Sequence, residues 1–377
     1  MNKKGFLVIP LTLLIIGVLT GFSRLLSIYH SRDSPIYPIS EAMDRYLSKL
    51  YGIHSHIIVL GFIALLILFE RFSGYSKGYS KHILLSGLIF GSLGIFLLIL
   101  SVTILKSLYY LSLGLILIPA LSFLGYISIN RRYINLNTSI LWISSYIIYI
   151  LAVSIDLFSI SVPINIYPLY ILLYPILFIL GERLELTRFI PIGREAYIII
   201  PTLTGLIVIN MIFILFGGRY ILLGIFNDFI LILLTLYLIY IDPTVWGKGR
   251  DVKSIYLSTH LRIGYIMLLA GILTNLSSFY IIGFNLYDLS THLLALGFVG
   301  SMLIGHGPIV ISQLLGFKPR FSYIPVSILL TSILLRGLVD IGYSLIGPVQ
   351  SNILMGISGI LTILTIPLFL SNLNRES

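Results

Sequence analysis

Long apolar runs separated by short polar or Gly/Pro-containing breaks extend along nearly the whole sequence. At roughly 20 residues each, they have the length that an α-helix needs to cross a hydrocarbon core of about 30 Å. With 58% hydrophobic and 10% charged residues, a soluble domain could not solvate such a surface. The sequence therefore predicts an all-α integral membrane protein, a single polytopic domain over residues 1–377. About twelve runs of spanning length begin near Gly5, Gly52, His82, Lys106, Thr138, Val162, Ala196, Tyr220, Ile255, Ser290, Phe321 and Ile346.

The charges of the connecting segments predict the orientation of the chain. Lys and Arg side chains favour the cytoplasmic loops of a membrane protein. If residue 1 lies in the cytoplasm, most of them fall on that side. This places both termini in the cytoplasm, makes residues 30–51 the longest extracytoplasmic loop, and predicts a multi-pass protein of the plasma membrane. The basic segments are "ERFSGYSKGYSKH", "NRRYIN", "GERLELTRFIPIGRE", "DPTVWGKGRDVK", "GFKPR" and the tail "NRES".

Several function classes are excluded by what the sequence lacks. The absence of cysteine rules out disulfides, thiolate metal sites, iron–sulfur clusters and covalent c-type haem. A metal would have to be held by histidine, methionine or carboxylate groups. There is no Walker loop, Rossmann fingerprint or HExxH motif, and no basic, aromatic-rich soluble face that would favour a nucleic-acid partner.

A short motif occurs twice. "SHIIVLGFIALL" (Ser55–Leu66) and "THLLALGFVGSM" (Thr291–Met302) share the pattern His-x3-Leu-Gly-Phe, which aligns His56 with His292. Both runs cross the membrane in the same direction in the predicted topology. The two histidines are therefore expected at the same depth.

The second copy of the motif lies in a run with another histidine near its end. His292 and His306 are fourteen residues apart, which corresponds to about 21 Å along an α-helix and close to four full turns. We expect both imidazoles to point to about the same side of one helix, one near each membrane surface. We also expect "GHGP" (Gly305–Pro308) to loosen the helix at His306, since proline removes a helical hydrogen bond.

Sorting the histidines by depth suggests haem ligation. A bis-imidazole haem needs two histidines at one depth on facing helices. We expect His56 and His292 to hold an outer haem b, and His306 to hold an inner one together with His260 or His82, with His260 favoured. An ionisable residue deep in an apolar run has a functional role by default. His54 and His82 lie closer to the surfaces and could equally be loop or capping residues, and His30 is interpreted as a loop or capping residue.

Each remaining charged residue within the apolar runs has two possible roles. Arg336 and Asp340 are four residues apart and can form a pair on one helix face, or Arg336 could hold a haem propionate. Arg262, two residues after His260, could do the same on the inner side or extend toward the headgroups. Asp156 and Asp228 could belong to a proton or quinol site, or simply bond neighbouring hydroxyls.

Three segments resemble a known family. "HSHIIVLGF", "STHLRIGYIMLLAGILT" and "STHLLALGFVGSMLIGHGP" are similar to the NnrS-type haem membrane proteins, distant relatives of the haem–copper oxidase catalytic subunit. The resemblance covers the second, ninth and tenth runs and implies about twelve spans. It implies ligand roles for His54, His56, His260 and His292, and "GFVGSMLIGHGPIV" is closer still to an uncharacterised branch in which His306 takes part in the motif.

The sequence also departs from that family. No run in the middle of the chain contains a His-His pair, and no histidine lies between His82 and His260. Copper, and reduction of oxygen or nitric oxide at a haem–copper centre, are therefore not expected.

Together these features predict a b-type cytochrome-like subunit of a respiratory chain. It would transfer electrons across or within the bilayer through one or two bis-histidine haems, with quinol as a possible reactant. An extracytoplasmic cytochrome or iron–sulfur protein is the expected partner. The cysteine-free, Ile- and Tyr-rich composition is typical of thermoacidophilic archaea. Two alternatives remain: a secondary transporter or channel with a broken-helix site at Gly305–Pro308, and a membrane anchor without a cofactor.

Overall fold

The computed structural model describes residues 3–28, 53–74, 78–160, 162, 166–186, 193–216, 220–247, 251–281, 285–315 and 318–371, and these residues form helices and turns without a strand. The predicted loop 30–51 and His30 lie outside them. The helices are α1 (Lys3–Ile28), π1 (His56–Ile63), α2 (Ala64–Gly74), α3 (Tyr79–Thr103), α4 (Tyr109–Asn130), α5 (Leu136–Leu157), α6 (Tyr167–Leu186), α7 (Ala196–Leu215), α8 (Tyr220–Ile241), α9 (Pro243–Trp246), α10 (Val252–Ser278), α11 (Leu286–His292), π2 (Leu293–Gly300), α12 (Ser301–Leu315), α13 (Ile324–Ile346) and α14 (Pro348–Ser371).

The prediction of an all-α membrane protein is confirmed at the level of its helices. In the part of the chain that the structure describes, ten helical stretches are long and apolar enough to cross a membrane. Two further helices occupy the positions of the other predicted runs. One is α1, with a shorter apolar stretch at Val8–Thr20, and the other is α6, which carries Glu182, Arg183 and Glu185 near its end.

The faces of α8 show the polarity of a helix surrounded by lipid. Its exposed side chains include Phe226, Phe229 and Leu233, spaced by three and four residues, whereas the buried face carries Asn227 and Asp228. A helix on the surface of a soluble protein has the opposite arrangement, with its apolar stripe facing the core. The outward face of α8 is thus suited to hydrocarbon and its polar groups are enclosed by protein.

Helix α6 occupies the centre of the bundle. Its side chains from Leu169 to Phe178 are buried around the whole circumference, as expected for a helix that is apolar on all sides. It packs against α5, α11 and both π-helices. An aromatic cluster fixes it to α4 and α5, with Phe123 stacked on Tyr146 at 4.5 Å and Trp142 stacked on Phe178 at 5.7 Å between ring centroids.

Two ion pairs hold the charged end of α6. Arg71 of α2 pairs with Glu182 and lies over the Trp142 ring, 4.7 Å from its centroid. Arg183 donates to Asp242, with 3.3 Å between Nε and Oδ2. Buried charges are tolerated where each has a partner, so these contacts fix α2, α6 and the end of α8 relative to one another.

The repeated His-x3-Leu-Gly-Phe motif adopts the same rare conformation in both copies. The segments π1 and π2 are each eight residues long, and they begin at His56 and directly after His292. In a π-helix the backbone hydrogen bonds run from i to i+5, and such segments are rare and frequently lie at functional sites. Both pack against α6, while the following helices α2 and α12 pack against each other. The two motifs therefore start on neighbouring helices at the same end of the helix bundle. This end of the bundle is called here the His56 end.

The expected loosening at Gly305–Pro308 does not take the form of a break, because these residues lie within the continuous helix α12. Pro308 has no N–H, so the carbonyl of Ile304 loses its helical hydrogen bond. The hydroxyl of Tyr256 donates to that carbonyl instead, at 3.0 Å, in the way that neighbouring helices accommodate proline within a membrane. The helical irregularity lies upstream, in π2.

The prediction that His292 and His306 share one helix side is wrong. Positions that contact α10 follow the spacing Ser290, Leu294, Gly297, Met302 and Gly305, with a five-residue step across π2 instead of three or four. His292 lies two residues from both Ser290 and Leu294, so its side chain is rotated roughly 200° from the helix side that faces α10. His306 directly follows Gly305, so its side chain is rotated only about 100° from that side. The two imidazoles consequently leave the helix in different directions.

Candidate functional site

His56 forms a buried cluster with two groups that the sequence did not connect to it. Its Nε2 lies 2.7 Å from Oδ2 of Asp156 in α5 and 3.3 Å from the hydroxyl of Tyr167 at the start of α6. The same hydroxyl donates to both Asp156 oxygens, at 3.0 and 3.1 Å. If the carboxylate is ionised, it only accepts, and this contact then places the His56 proton on Nε2. Its Nδ1 is buried without a hydrogen-bond partner among the described residues.

His54 lies on the other side of the same turn and contacts α1. Its Nδ1 is 3.1 Å from the hydroxyl oxygen of Thr20, whose single proton is directed to the carbonyl of Gly17 at 2.6 Å. The Thr20 oxygen therefore accepts from His54. This contact is a structural link between α1 and the segment preceding π1.

His292 is attached to its own helix through one nitrogen. Its Nδ1 donates to the carbonyl of Asp288 at 2.8 Å, which places the ring proton on Nδ1. The Asp288 carboxylate accepts from Arg336 of α13, with 3.0 Å between Nε and Oδ2. The predicted pairing of Arg336 with Asp340 is present at 3.5 Å. Sequence reasoning missed Asp288, although its position four residues before His292 was an available signal.

The two "STHL" segments create the same local geometry twice. Like His292, His260 donates from Nδ1 to the carbonyl four residues earlier, that of Tyr256, at 2.8 Å. The preceding threonines, Thr259 and Thr291, each bond the carbonyl four residues back at 2.8 Å. This arrangement sets the tautomer and orients the ring, as in many ligating histidines. The His260 Nε2 is buried and has no hydrogen-bond partner in the described ranges.

The structure brings His260 and His306 together at the opposite end of the bundle. The His260 ring packs on Tyr256 and stacks on Tyr323, with centroids at 4.1 and 5.7 Å. A Cβ added to Gly305 would lie 2.7 Å from the His260 Cβ, so the two backbones are in close contact there. His306 follows Gly305 and lies within electrostatic range of both His260 and Arg183.

His82 is exposed near the start of α3, and Arg262 is exposed in the first half of α10. Helix α3 packs mainly against α4 and α2. Arg262 donates to the carbonyls of Val245 and Gly247, at 2.8 and 3.2 Å. These contacts tie the turn around α9 to α10.

The described residues contain no group of three or more His, Asp or Glu side chains that could hold a metal ion. A haem has a different requirement, because the macrocycle supplies the equatorial nitrogens and the protein supplies only axial ligands. The fit of a haem can therefore be judged at each end from the two histidines available there.

At the second end, His260 and His306 do not fit as the axial ligands of one haem. The macrocycle must lie between the two ligating rings and hold their helices apart. The contact of Gly305 with the His260 Cβ leaves no such gap between α10 and α12. This end therefore offers two histidines on helices that touch each other, without space for the cofactor between these helices.

At the His56 end, the two imidazoles are the donor set that a bis-imidazole haem requires, and one of them would have to turn to serve as a ligand. His56 and His292 start corresponding π-helices on neighbouring helices, and both segments flank α6. The Nδ1–H contact of His292 directs its Nε2 away from its own backbone. The Nε2 of His56 faces Asp156, so axial ligation requires this ring to turn away from the carboxylate.

The comparison with protein-family models identifies the chain at family level. The model described as a domain of unknown function, DUF8744, matches residues 12–373, and the chain belongs to this family. The matched range contains both ends of the bundle and all the histidines described above. A search of curated proteins returns no match.

Proposed function

We propose that the protein is a membrane-embedded b-type haem protein with one haem at the His56 end, ligated by His56 and His292, and that it serves electron transfer in a respiratory chain. A bis-imidazole haem b accepts and releases one electron at a time and leaves no coordination site for a substrate. This proposal keeps the outer haem expected from the sequence and omits the inner one.

The observation that carries the proposal is the paired π-helices. An eight-residue π-helix is uncommon, and here two of them occur at the same motif, each beginning at or directly after its histidine. Ordinary helix packing gives no reason for this coincidence, because α-helical Leu, Gly and Phe would bury equally well. A matched requirement for ring placement on two neighbouring helices accounts for it.

The surrounding residues would position the ligands. The Asp288 carbonyl fixes the His292 ring, and the ion pair with Arg336 ties this turn to α13. Since two carboxylates, of Asp288 and Asp340, already neutralise Arg336, we assign it to this link in preference to a haem propionate. Asp156 and Tyr167 would hold the proton of His56 when the haem is not bound.

The topology proposed with this function has twelve spans, with α1 and α6 included and both termini in the cytoplasm. The protein would lie in the plasma membrane with the His56 end near its extracytoplasmic face, as the loop charges favour. In this orientation the haem is accessible to an extracytoplasmic cytochrome or iron–sulfur protein, and quinol could be a further electron donor.

The test is haem content and a dithionite-reduced minus oxidised spectrum of purified protein from haem-replete cells. We expect one b-type haem per chain, lost in His56→Ala and His292→Ala and retained in His306→Ala and His82→Ala. Size-exclusion chromatography of each variant reports whether it remains folded. Two haems per chain would contradict the single-site proposal.

A colourless wild-type protein would overturn the redox function and leave a transporter as the remaining functional hypothesis. The specific basis for a transporter, a broken helix at Gly305–Pro308, is removed by the continuity of α12. A transport site would then be expected at the buried polar groups and not at Gly305–Pro308.

A further inference from the structure

Asp228 is enclosed in the interior of α8 without a basic partner. Its side chain is 0% exposed. Its Oδ2 accepts a hydrogen bond from the Asn275 amide of α10 at 2.8 Å, and its Oδ1 is buried with no hydrogen-bond partner among the described residues. Asn275 is itself buried.

Besides Asp228, the fully buried carboxylates in the described part of the chain are those of Asp242, Asp288 and Asp340. Asp242 contacts Arg183, and Asp288 and Asp340 share Arg336. Asp228 thus differs from the other fully buried carboxylates, each of which has an arginine partner. Its partner is a neutral amide, which cannot balance a negative charge.

Among the described residues, the helices packed against α8 bring no base near Asp228. These helices are α7 and α10, together with the beginning of α6, where Ile166 faces Gly224 and the adjoining titratable side chain is that of Tyr167. The titratable side chain of α7 is Tyr197, at its beginning. On α10, the last titratable side chain before Asn275 is Tyr265. The two residues are ten positions apart, or about 15 Å along the helix axis. On α8 itself the other titratable side chains are the tyrosines at positions 220, 237 and 240. Arg219 belongs to the segment 217–219, outside the described residues.

A second polar side chain beside Asp228 is also unsatisfied. Asn227 is 1% exposed, and neither its amide nitrogen nor its oxygen has a hydrogen-bond partner among the described residues. Buried polar groups without partners are costly and require an explanation, such as a bound ion or water. Both residues lie one turn after Gly224, whose α-carbon faces Phe279 and Ile166.

An isolated carboxylate anion in an apolar interior is far more costly than its neutral form or an ion-bound form. A metal cation of the size of Ca²⁺ requires about six to eight oxygen ligands, whereas this place offers the side-chain oxygens of Asp228, Asn227 and Asn275. A proton requires one carboxylate oxygen, and Oδ1 of Asp228 is available for it.

We propose that Asp228 is a proton-binding site at the His56 end of the bundle, which takes up and releases a proton while Asn275 holds its second oxygen. Asp228 lies eight residues after the start of α8, about 12 Å along the helix, and the Ile166 side chain links this face to the beginning of α6. The site does not depend on a haem and stands or falls separately from the proposed function.

The experiment is labelling of the purified full-length protein with dicyclohexylcarbodiimide, an apolar reagent that reacts with protonated carboxyl groups, followed by peptide mass spectrometry. We expect modification of Asp228 that increases as the pH falls and is lost in Asp228→Asn. This substitution preserves the shape of the side chain and an oxygen that can accept from Asn275. Asp242, which is buried at the end of the same helix but paired with Arg183, is the internal control and should remain unlabelled.

Three outcomes overturn the proposal. Labelling that is equal at all pH values indicates a permanently protonated structural acid. Protection by Na⁺ without pH dependence indicates a metal-cation site. Equal labelling of Asp242 contradicts the charge-balance argument.

Because the reagent could fail to reach the site, infrared difference spectroscopy gives a second measurement. A carboxylic C=O band that titrates with pH and is absent in Asp228→Asn supports the proposal. The absence of such a difference between wild type and variant overturns it.

Discussion

The hydroxyl of Tyr256 donates to the carbonyl of Ile304 at 3.0 Å, and this carbonyl is the one that Pro308 deprives of its helical partner. The residues are 48 positions apart in the sequence and belong to α10 and α12. Through the same turn, the Tyr256 carbonyl accepts from His260. Tyr256 therefore satisfies the carbonyl that Pro308 leaves without a donor and also orients the His260 ring.

Replacing Tyr256 with Phe should destabilise the bundle, because the buried Ile304 carbonyl loses its donor. We expect a loss of about 1 kcal/mol in the free energy of unfolding, the usual size of one hydrogen bond between membrane helices. The measurement is unfolding in detergent, with Pro308→Ala as the second arm of a double-mutant cycle. The substituted alanine supplies a backbone N–H to the Ile304 carbonyl, so Tyr256→Phe should cost less in that background. Equal costs in both backgrounds would refute the pairing of Tyr256 with the proline.

The sequence predicts the helices of this protein better than their contacts. The apolar runs indicate where helices form, because membrane spans obey a simple length rule. The pairing of Arg336 with Asp340 follows from a four-residue spacing on one helix. The partners of His56 could not be found in this way, since Asp156 and Tyr167 lie 100 and 111 residues away and are brought to it only by the packing of α5 and α6.

The π-helices show a second limit of sequence reasoning. The motif predicts that His56 and His292 are equivalent, but its Leu, Gly and Phe residues suit an α-helix as well as a π-helix. The choice depends on a shift of one residue in the backbone hydrogen bonds, which the surrounding helices decide. This shift is the reason why the expected common side of His292 and His306 is wrong.

Adding a methyl group at Gly305 should separate α10 from α12. In Gly305→Ala the new Cβ would lie 2.7 Å from the His260 Cβ, which forces the two backbones to move. Overpacking of this kind costs about 1–3 kcal/mol. Gly205→Ala is the matched control, because nothing lies within 4 Å of its Cβ position, and it should be neutral or stabilising by up to about 1 kcal/mol. Thermal unfolding of both variants in the same detergent makes the comparison, and similar midpoints would contradict the close contact at Gly305.

Removing the carboxylate of Asp156 should destabilise the haem-free protein without the loss of haem that is expected when His56 is removed. Asp156 occupies the Nε2 atom that axial ligation would need, so Asp156→Ala should leave haem occupancy unchanged or higher. The haem-free protein should lose about 1–3 kcal/mol, since a buried hydrogen bond to a charged group is removed. The measurement is haem per chain together with unfolding of the haem-free form. Loss of haem comparable to that in His56→Ala would mean that Asp156 also acts in the haem-bound state.

Neutralising Arg336 should be the most damaging single change at the His56 end. In Arg336→Gln the carboxylates of Asp288 and Asp340 remain in a largely buried position with no base between them, and breaking a buried pair in this way costs about 3–5 kcal/mol. The cost arises from the stranded charges, so the triple variant Arg336→Gln/Asp288→Asn/Asp340→Asn should recover a large part of it. Unfolding midpoints and yield of the folded protein report both effects. If Arg336→Gln unfolds like the wild type while losing haem, the guanidinium serves the cofactor and not the link between α11 and α13. If the triple variant is no more stable than Arg336→Gln, the side chain contributes through packing and the charge argument fails.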